Sequence, residues 1–168
     1  MEGISKYIVF QMNHQTYGAD VRQILSIEKV QEITEVPRTA GFIKGVINLR
    51  GDTTPIIDLK ERFRLGKLEQ TEATRILIVH IADIRVGLMV DSATDVIDVD
   101  AELIEQAPEI IGGIRDTFIK GVAKQEDGLL ILLNLEAVLD LNETNELRKF
   151  TKEQQTGGQD SGNDIGNR

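Results

Sequence analysis

The 168-residue chain contains no cysteine and no tryptophan. The first absence removes disulfides, thiolate nucleophiles and thiolate metal sites together, and it fits a reducing compartment. The second, with only five phenylalanines and two tyrosines, leaves few platforms on which bases could stack. Basic residues are outnumbered: 19 Lys and Arg stand against 28 Asp and Glu, a formal charge of −9. The cations are scattered rather than gathered on one face, so no nucleic-acid partner is expected, while an acidic surface favours solubility. Long apolar runs are missing too. The longest, 129–133, is far too short to cross a bilayer, and the first ten residues lack the basic start of a signal peptide, so no membrane insertion is expected.

Catalytic equipment is equally sparse. His14 falls in a polar turn, and His80 lies on a strand, where a structural or surface role outweighs a role as a base. No serine sits in a nucleophile elbow, and no glycine-rich loop carries the lysine of a phosphate cradle. The acidic residues Asp95, Asp98, Asp100, Glu102 and Glu105 lack the glycine and spacing of a calcium loop. Asp100 suits instead the N-cap of a short turn through Leu103. The chain is therefore expected to be no enzyme and to hold no cofactor and no metal.

What is present is an ordinary globular composition, 40% hydrophobic and 28% charged, long enough for one domain or two small units sharing a core. It is also a duplication. Phe42-Ile43-Lys44-Gly45-Val46 returns unchanged as Phe118-Ile119-Lys120-Gly121-Val122, 76 positions later, and the apolar segment ending in Asp58-Leu59 is answered by the one ending in Asn134-Leu135. Each copy reads as a hairpin whose far strand runs into a short helical turn, with a glycine that permits a close approach. A second pair of blocks recurs at an offset of 69. Strand 7–12, a turn and strand 16–19 reappear as 76–81, a turn and 85–88, so that Gly18 falls on Gly87, Val21 on Val90 and Ile27 on Val96.

Two related halves follow, about 7–65 and 75–140, with seven extra residues between the matching blocks of the second. The polar connector 65–74 is the expected boundary, and the terminal strand is open to exchange between the halves. Residues 21–27 read as a turn leading into a strand, and 30–36 as a loop or edge strand before Pro37. Asp58 and its counterpart Asn134 are N-cap candidates, the second helix running on towards Phe150. Residues 5–150 form the expected single domain. The polar stretch 151–168 cannot bury enough surface to offset its ordering entropy, so disorder is expected there. Many short strands with few helices predict an all-β fold of two small barrels joined by an apolar, obligatory interface.

Function should lie where the copies diverge. Arg50 in the first hairpin turn faces Glu126 in the second, and Ile33, Val36, Phe42 and Leu49 are apolar where a small β unit should be polar. Either these side chains fold under their loops onto a satellite cluster, or they form an exposed patch rimmed by an arginine, the composition of a docking surface.

From about Tyr7 to Leu141 the chain resembles the CheW family of bacterial chemotaxis coupling proteins, most strongly in the run 42–51 and in Pro55-Ile56-Ile57-Asp58-Leu59. Tyr17-Gly18, Asp20-Val21, Val86-Gly87, Val90-Asp91 and Ala107-Pro108-Glu109 add support. The resemblance implies a CheW-like fold of two intertwined, five-stranded SH3-like barrels. It further implies a cytoplasmic adapter, monomeric on its own, held at the inner face of the membrane through receptor arrays. Such an adapter joins the helical tips of chemoreceptors to the regulatory domain of the histidine kinase CheA. Ile24, Ile27, Gly45, Asn48 and Arg50 match receptor-facing positions, while Val30, Ile33 and Val36 are the expected kinase contacts. The CheW-like domain of a CheV-type adapter and a generic SH3-like peptide-binding module are the alternatives.

Overall fold

The computed structural model describes residues 3–36, 42–81, 83–111, 113–126 and 128–139. The tail 151–168 and the expected continuation of the last helix towards Phe150 lie outside these residues. Among those described, β1 (Ile4–Met12), β2 (Gln15–Asp20), β3 (Ile24–Lys29), β4 (Ile43–Leu49) and β5 (Asp52–Asp58) precede the one-turn helix α1 (Leu59–Arg62). Then follow β6 (Arg75–Ile81), β7 (Ile84–Val90), β8 (Ser92–Asp100), β9 (Ile104–Glu105), β10 (Ile110–Ile111), β11 (Ile114–Arg115), β12 (Ile119–Gln125) and β13 (Gly128–Leu133).

Local chemistry accounts for the boundaries. Leu49 pairs with Asp52, so β4 and β5 are joined by the two-residue turn Arg50–Gly51, with φ of 53° and 90°, the positive values of a hairpin turn that matches strand twist. Asp58 caps α1 as expected: its carboxylate accepts the Glu61 N–H at 3.2 Å and the Leu68 N–H at 2.9 Å. Asp20 and Asp100 cap the short 3₁₀ turns Val21–Gln23 and Ala101–Leu103 in the same way. The turn-then-strand reading of 21–27 and the cap at Asp100 are thus both observed.

The principal sheets have the orders β8-β1-β2-β13-β12-β9 and β3-β6-β7-β5-β4. Replacing each strand by its repeat converts the first order into the second, and Thr34, bridged to Val46, stands where β9 stands in the first sheet. The seven additional residues of the second half fall where it carries the small hairpin β10–β11. Neither sheet is built from one half of the sequence. The β1–β2 hairpin joins β12–β13, and β6–β7 joins β4–β5, through parallel pairs that set Leu132 against Gly18 and Ile56 against Gly87. The half-barrels expected at 7–65 and 75–140 therefore do not form separately, and more than the terminal strand is exchanged.

Burial supplies the reason. Along β1, Ile8, Phe10 and Met12 enter a large cluster containing residues of both sheets, whereas Tyr7 and Val9 enter a smaller cluster with Val99, Leu130 and Leu132. A strand that is apolar on both faces needs cover on both, and the hairpins of a single half cannot give it. The large cluster includes Leu77, Val79, Leu88, Ile131 and Leu133, forming the expected apolar interface between subdomains. At about 1.5–3 kcal/mol for each fully buried aliphatic or aromatic side chain, this interface is the main source of cohesion. The fold is all-β, with two intertwined subdomains.

Candidate docking surface

The strand β3 forms one edge of the five-stranded sheet and alternates half-buried with exposed residues. Ile24 turns inward onto the large cluster, while Leu25 and Ile27 remain 50% and 43% exposed. Beside them stands the Arg50–Gly51 turn. Asn48 and Arg50 are exposed, the Asn48 Oδ1 accepts the Gly51 N–H at 2.9 Å, and the Arg50 guanidinium reaches Glu28 on β3 at 3.3 Å. An arginine at φ 53° occupies a position where Asn or Gly is favoured, at a cost of about 1 kcal/mol. The asparagine bond and the ion pair hold the turn in this form.

Leu25 and Arg50 border an open groove of about 420 Å³ whose lining also includes Leu49, Ile78, Asp52 and Arg85. Its counterpart by the duplication, on the six-stranded sheet, measures about 220 Å³ and is lined by Thr94, Gln125, Val9, Gly128, Thr16 and Asp95, among others. Thr16 thus takes the place of Arg85, and Thr94 that of Leu25.

The expected site residues separate on this geometry. Ile24, Ile27, Asn48 and Arg50 lie on β3 and the adjoining turn. Gly45 is buried beneath the 30–36 segment instead: a Cβ there would stand 2.1 Å from the Thr34 carbonyl oxygen. Its φ of 144° also suits glycine alone. The close approach foreseen for it is made by the chain's own backbone, so Gly45 offers no face to a partner. Val30 and Ile33 are half-buried against the cluster of Ile47, Leu49, Ile56, Ile76, Ile78 and Met89, and Val36 is half-buried. Leu49, placed on the sequence among the apolar residues open to an exposed reading, is buried in that cluster. The satellite-cluster reading applies to Ile33 and Leu49, while Phe42 packs against the large central cluster.

Leu25 and Arg85 were not singled out on the sequence. The contrast that drew attention to Arg50 would have found Arg85, since its counterpart is Thr16. His14 and His80 are both exposed. Among the described residues, no group of three acidic or histidine side chains is placed to hold a metal ion, and no helix is long and apolar enough to cross a membrane.

A further cavity of about 510 Å³ is lined by Asp20, Arg22, Lys120, Asn134 and Glu136, among others. Its charges are largely satisfied internally. Arg22 binds Asp20 through two nitrogens at 3.1 and 2.7 Å, and Lys120 approaches the same carboxylate at 4.0 Å. The side-chain hydrogen bonds from Arg22 hold the Asp20 carboxyl below its usual range, against the opposing effect of burial.

Comparison with known proteins settles the family. The family model described as CheW-like domain matches residues 6–143. The chain belongs to the CheW family. The chemotaxis protein CheW of Bacillus subtilis is 47% identical over 135 residues, covering 80% of this chain and 86% of that protein. Helicobacter pylori CheW is 32% identical over 138 residues, 82% and 83% of the two chains. The crystal structure of the scaffolding protein TtCheW from Thermoanaerobacter tengcongensis superposes with a TM-score of 0.77 at 37% identity, covering 85% of this chain and 91% of that one. The expected CheW-like fold class is thereby established.

Proposed function

We propose that this CheW-family chain is a non-catalytic chemotaxis adapter, coupling chemoreceptors to the histidine kinase CheA in the cytoplasm at the inner face of the membrane. The observation that carries the reading is the exposed apolar edge of β3, with Leu25 and Ile27 beside an arginine held in a disfavoured turn conformation. An apolar strip with a charge at its rim suits an amphipathic helix: the strip supplies affinity and the charge fixes orientation. Ile27, Asn48 and Arg50 form the receptor face in this reading, with Ile24 packed inward behind it. Gly45 contributes from beneath by letting the 30–36 segment close over β4.

The kinase regulatory domain is assigned to the 30–36 segment, through Val30, Ile33 and Val36. Their half-burial restricts the contact to the faces left open, and the packing beneath them fixes those faces in advance. Preorganisation of this kind lowers the entropy lost on association. The two proposed faces flank the same sheet, so one rigid unit would hold both partners.

Isothermal titration against the purified CheA regulatory domain and a receptor cytoplasmic fragment tests this division. The wild-type chain is expected to bind both. Ile33→Asp should weaken kinase binding by about 2 kcal/mol or more with receptor binding retained, and Arg50→Glu should do the reverse with a smaller effect. Failure of the intact chain to bind either partner would remove the adapter reading.

A further inference from the structure

The groove beside the Arg50 turn has two rim cations. Leu49 and Ile78 provide buried apolar lining, Leu25 is the exposed apolar side chain, and Arg50 and Arg85 both border the space. In the free chain each guanidinium is held by a carboxylate of the same sheet, Arg50 by Glu28 at 3.3 Å and Arg85 by Asp52 at 2.9 Å. The Arg50 and Arg85 side chains are 71% and 43% exposed, so both guanidinium groups are open to solvent, while Glu28, at 16%, is the partly covered member of its pair. Exposed pairs contribute little to stability and exchange readily for another carboxylate.

The duplication provides an internal control. The second groove is formed by the repeated strands in the same sheet order, yet it has Thr16 where the first has Arg85 and Thr94 where the first has Leu25. Glu126 takes the position of Arg50 in the adjoining hairpin. The same architecture thus forms without either arginine and without the leucine. What separates the grooves is recognition chemistry: Leu25 and two cations in the first, against Thr94, Thr16 and Asp95 in the second, which keeps apolar lining at Ile97 and Leu129.

Resting on the receptor role proposed for this face, we propose that Arg85 and Leu25 complete the docking site. Its occupant is a receptor helix presenting one apolar residue to Leu25 and two carboxylates to the arginines. An apolar residue with one carboxylate three or four positions before it and another three or four positions after it shares one face of a helix with both. On docking, the receptor carboxylates replace Glu28 and Asp52 as partners of the two guanidinium groups. Glu28 and Asp52 act as in-chain competitors that keep the arginines oriented in the free adapter.

Two probes test the inference separately from the adapter reading. One is the receptor cytoplasmic fragment; the other is a helix-stabilised peptide with a leucine and a glutamate four positions to either side of it, run beside its glutamine counterpart. Arg85→Gln is expected to weaken both interactions about fivefold, and Arg85→Lys less, with the loss shrinking at high salt. Combining Arg85→Gln with Arg50→Gln should weaken binding more than about tenfold. Glu28→Gln, which releases Arg50, should tighten binding about twofold, a gain that damage to the fold would not produce. Equal binding of the receptor fragment by wild type and Arg85→Gln, with circular dichroism unchanged, overturns the inference and leaves the adapter reading standing. If the wild-type chain does not bind the receptor fragment, the adapter reading fails and the peptides decide: a preference for glutamate that is lost in Arg85→Gln upholds the groove chemistry, and the absence of that preference overturns it.

Discussion

The two sheets of this molecule have the same strand order, yet they close their outer edges differently. In the six-stranded sheet the edge beside β12 is covered by β9, two residues paired with Val122 and Ala123. In the five-stranded sheet the equivalent edge of β4 is met by a single bridge at Thr34. Beneath each closure lies a glycine of the repeated motif, Gly121 or Gly45. The scaffold has thus been conserved between the repeats at its glycines and buried strands, while the segments laid over it have diverged. A duplicated protein of this kind can carry two different surfaces on one architecture, because folding depends on the shared interior and recognition on the covering segments.

The sharpest way to break this comparison is to give both glycines a methyl group. At Gly45 a Cβ would meet the Thr34 carbonyl oxygen at 2.1 Å, a backbone atom, and the φ of 144° is unfavourable for any other residue. Gly45→Ala should therefore cost about 3 kcal/mol or more. At Gly121 the obstacles are the Ile104 Cγ2 methyl at 2.6 Å and the Glu105 carbonyl oxygen at 2.9 Å, both farther than the oxygen at Gly45, and no positive φ adds to them. Gly121→Ala should cost about 1–2 kcal/mol. Urea midpoints at unchanged slope measure the difference. Equal losses would mean that the two closures are mechanically alike.

A second perturbation acts on both halves together. The Arg62 guanidinium lies 5.1 Å from the Phe42 ring centre and 5.0 Å from that of Phe118, and it donates to the Val138 carbonyl. Phe42 and Phe118 are the same position of the repeat, so one cation joins the two copies. Arg62→Met keeps an apolar stem while removing the charge. The expected loss is about 2 kcal/mol, with amide exchange rising at the starts of both β4 and β12. Exchange rising in one strand alone would show that the arginine serves only one copy.

Much of this was legible in the residues. Repeated apolar blocks gave the hairpins, Asp58 and Asp100 gave the caps, and repeated glycines gave the close approaches. The identity of the approaching group was not legible, because Gly45 and Gly121 are met by segments that lie outside their hairpins and are only weakly alike. The exchange of hairpins between halves was hidden for a related reason. It depends on short parallel pairs, Ile131–Leu132 against Tyr17–Gly18 and Ile56–Asp58 against Gly87–Met89, and local periodicity does not encode which hairpin supplies the partner strand. Leu49 was ambiguous because a hairpin end can face either way until its register is set. The contrast with Thr16 marks Arg85 on the sequence, but that it borders the same groove as Arg50 is visible only in the fold.

The smallest expected effect concerns a position where the repeats differ in charge rather than shape. Asp20 is buried and bound by Arg22, whereas its counterpart Met89 is buried among aliphatic side chains. Because the hydrogen bonds from Arg22 lower the folded-state value of the Asp20 carboxyl, this pair adds stability above the ordinary carboxylate range of about 4. That contribution is lost as pH falls through the lowered folded value. Exposure of Arg22 to solvent keeps it modest. In Asp20→Asn the amide still accepts the Arg22 N–H and caps the 3₁₀ turn, but it does not titrate. Thermal unfolding followed from pH 6 downward should show a flatter acid limb for the variant, with the two melting curves converging near the bottom of the range. A parallel shift at every pH would assign the role of Asp20 to capping alone, leaving the charge difference between the repeats without a part in stability.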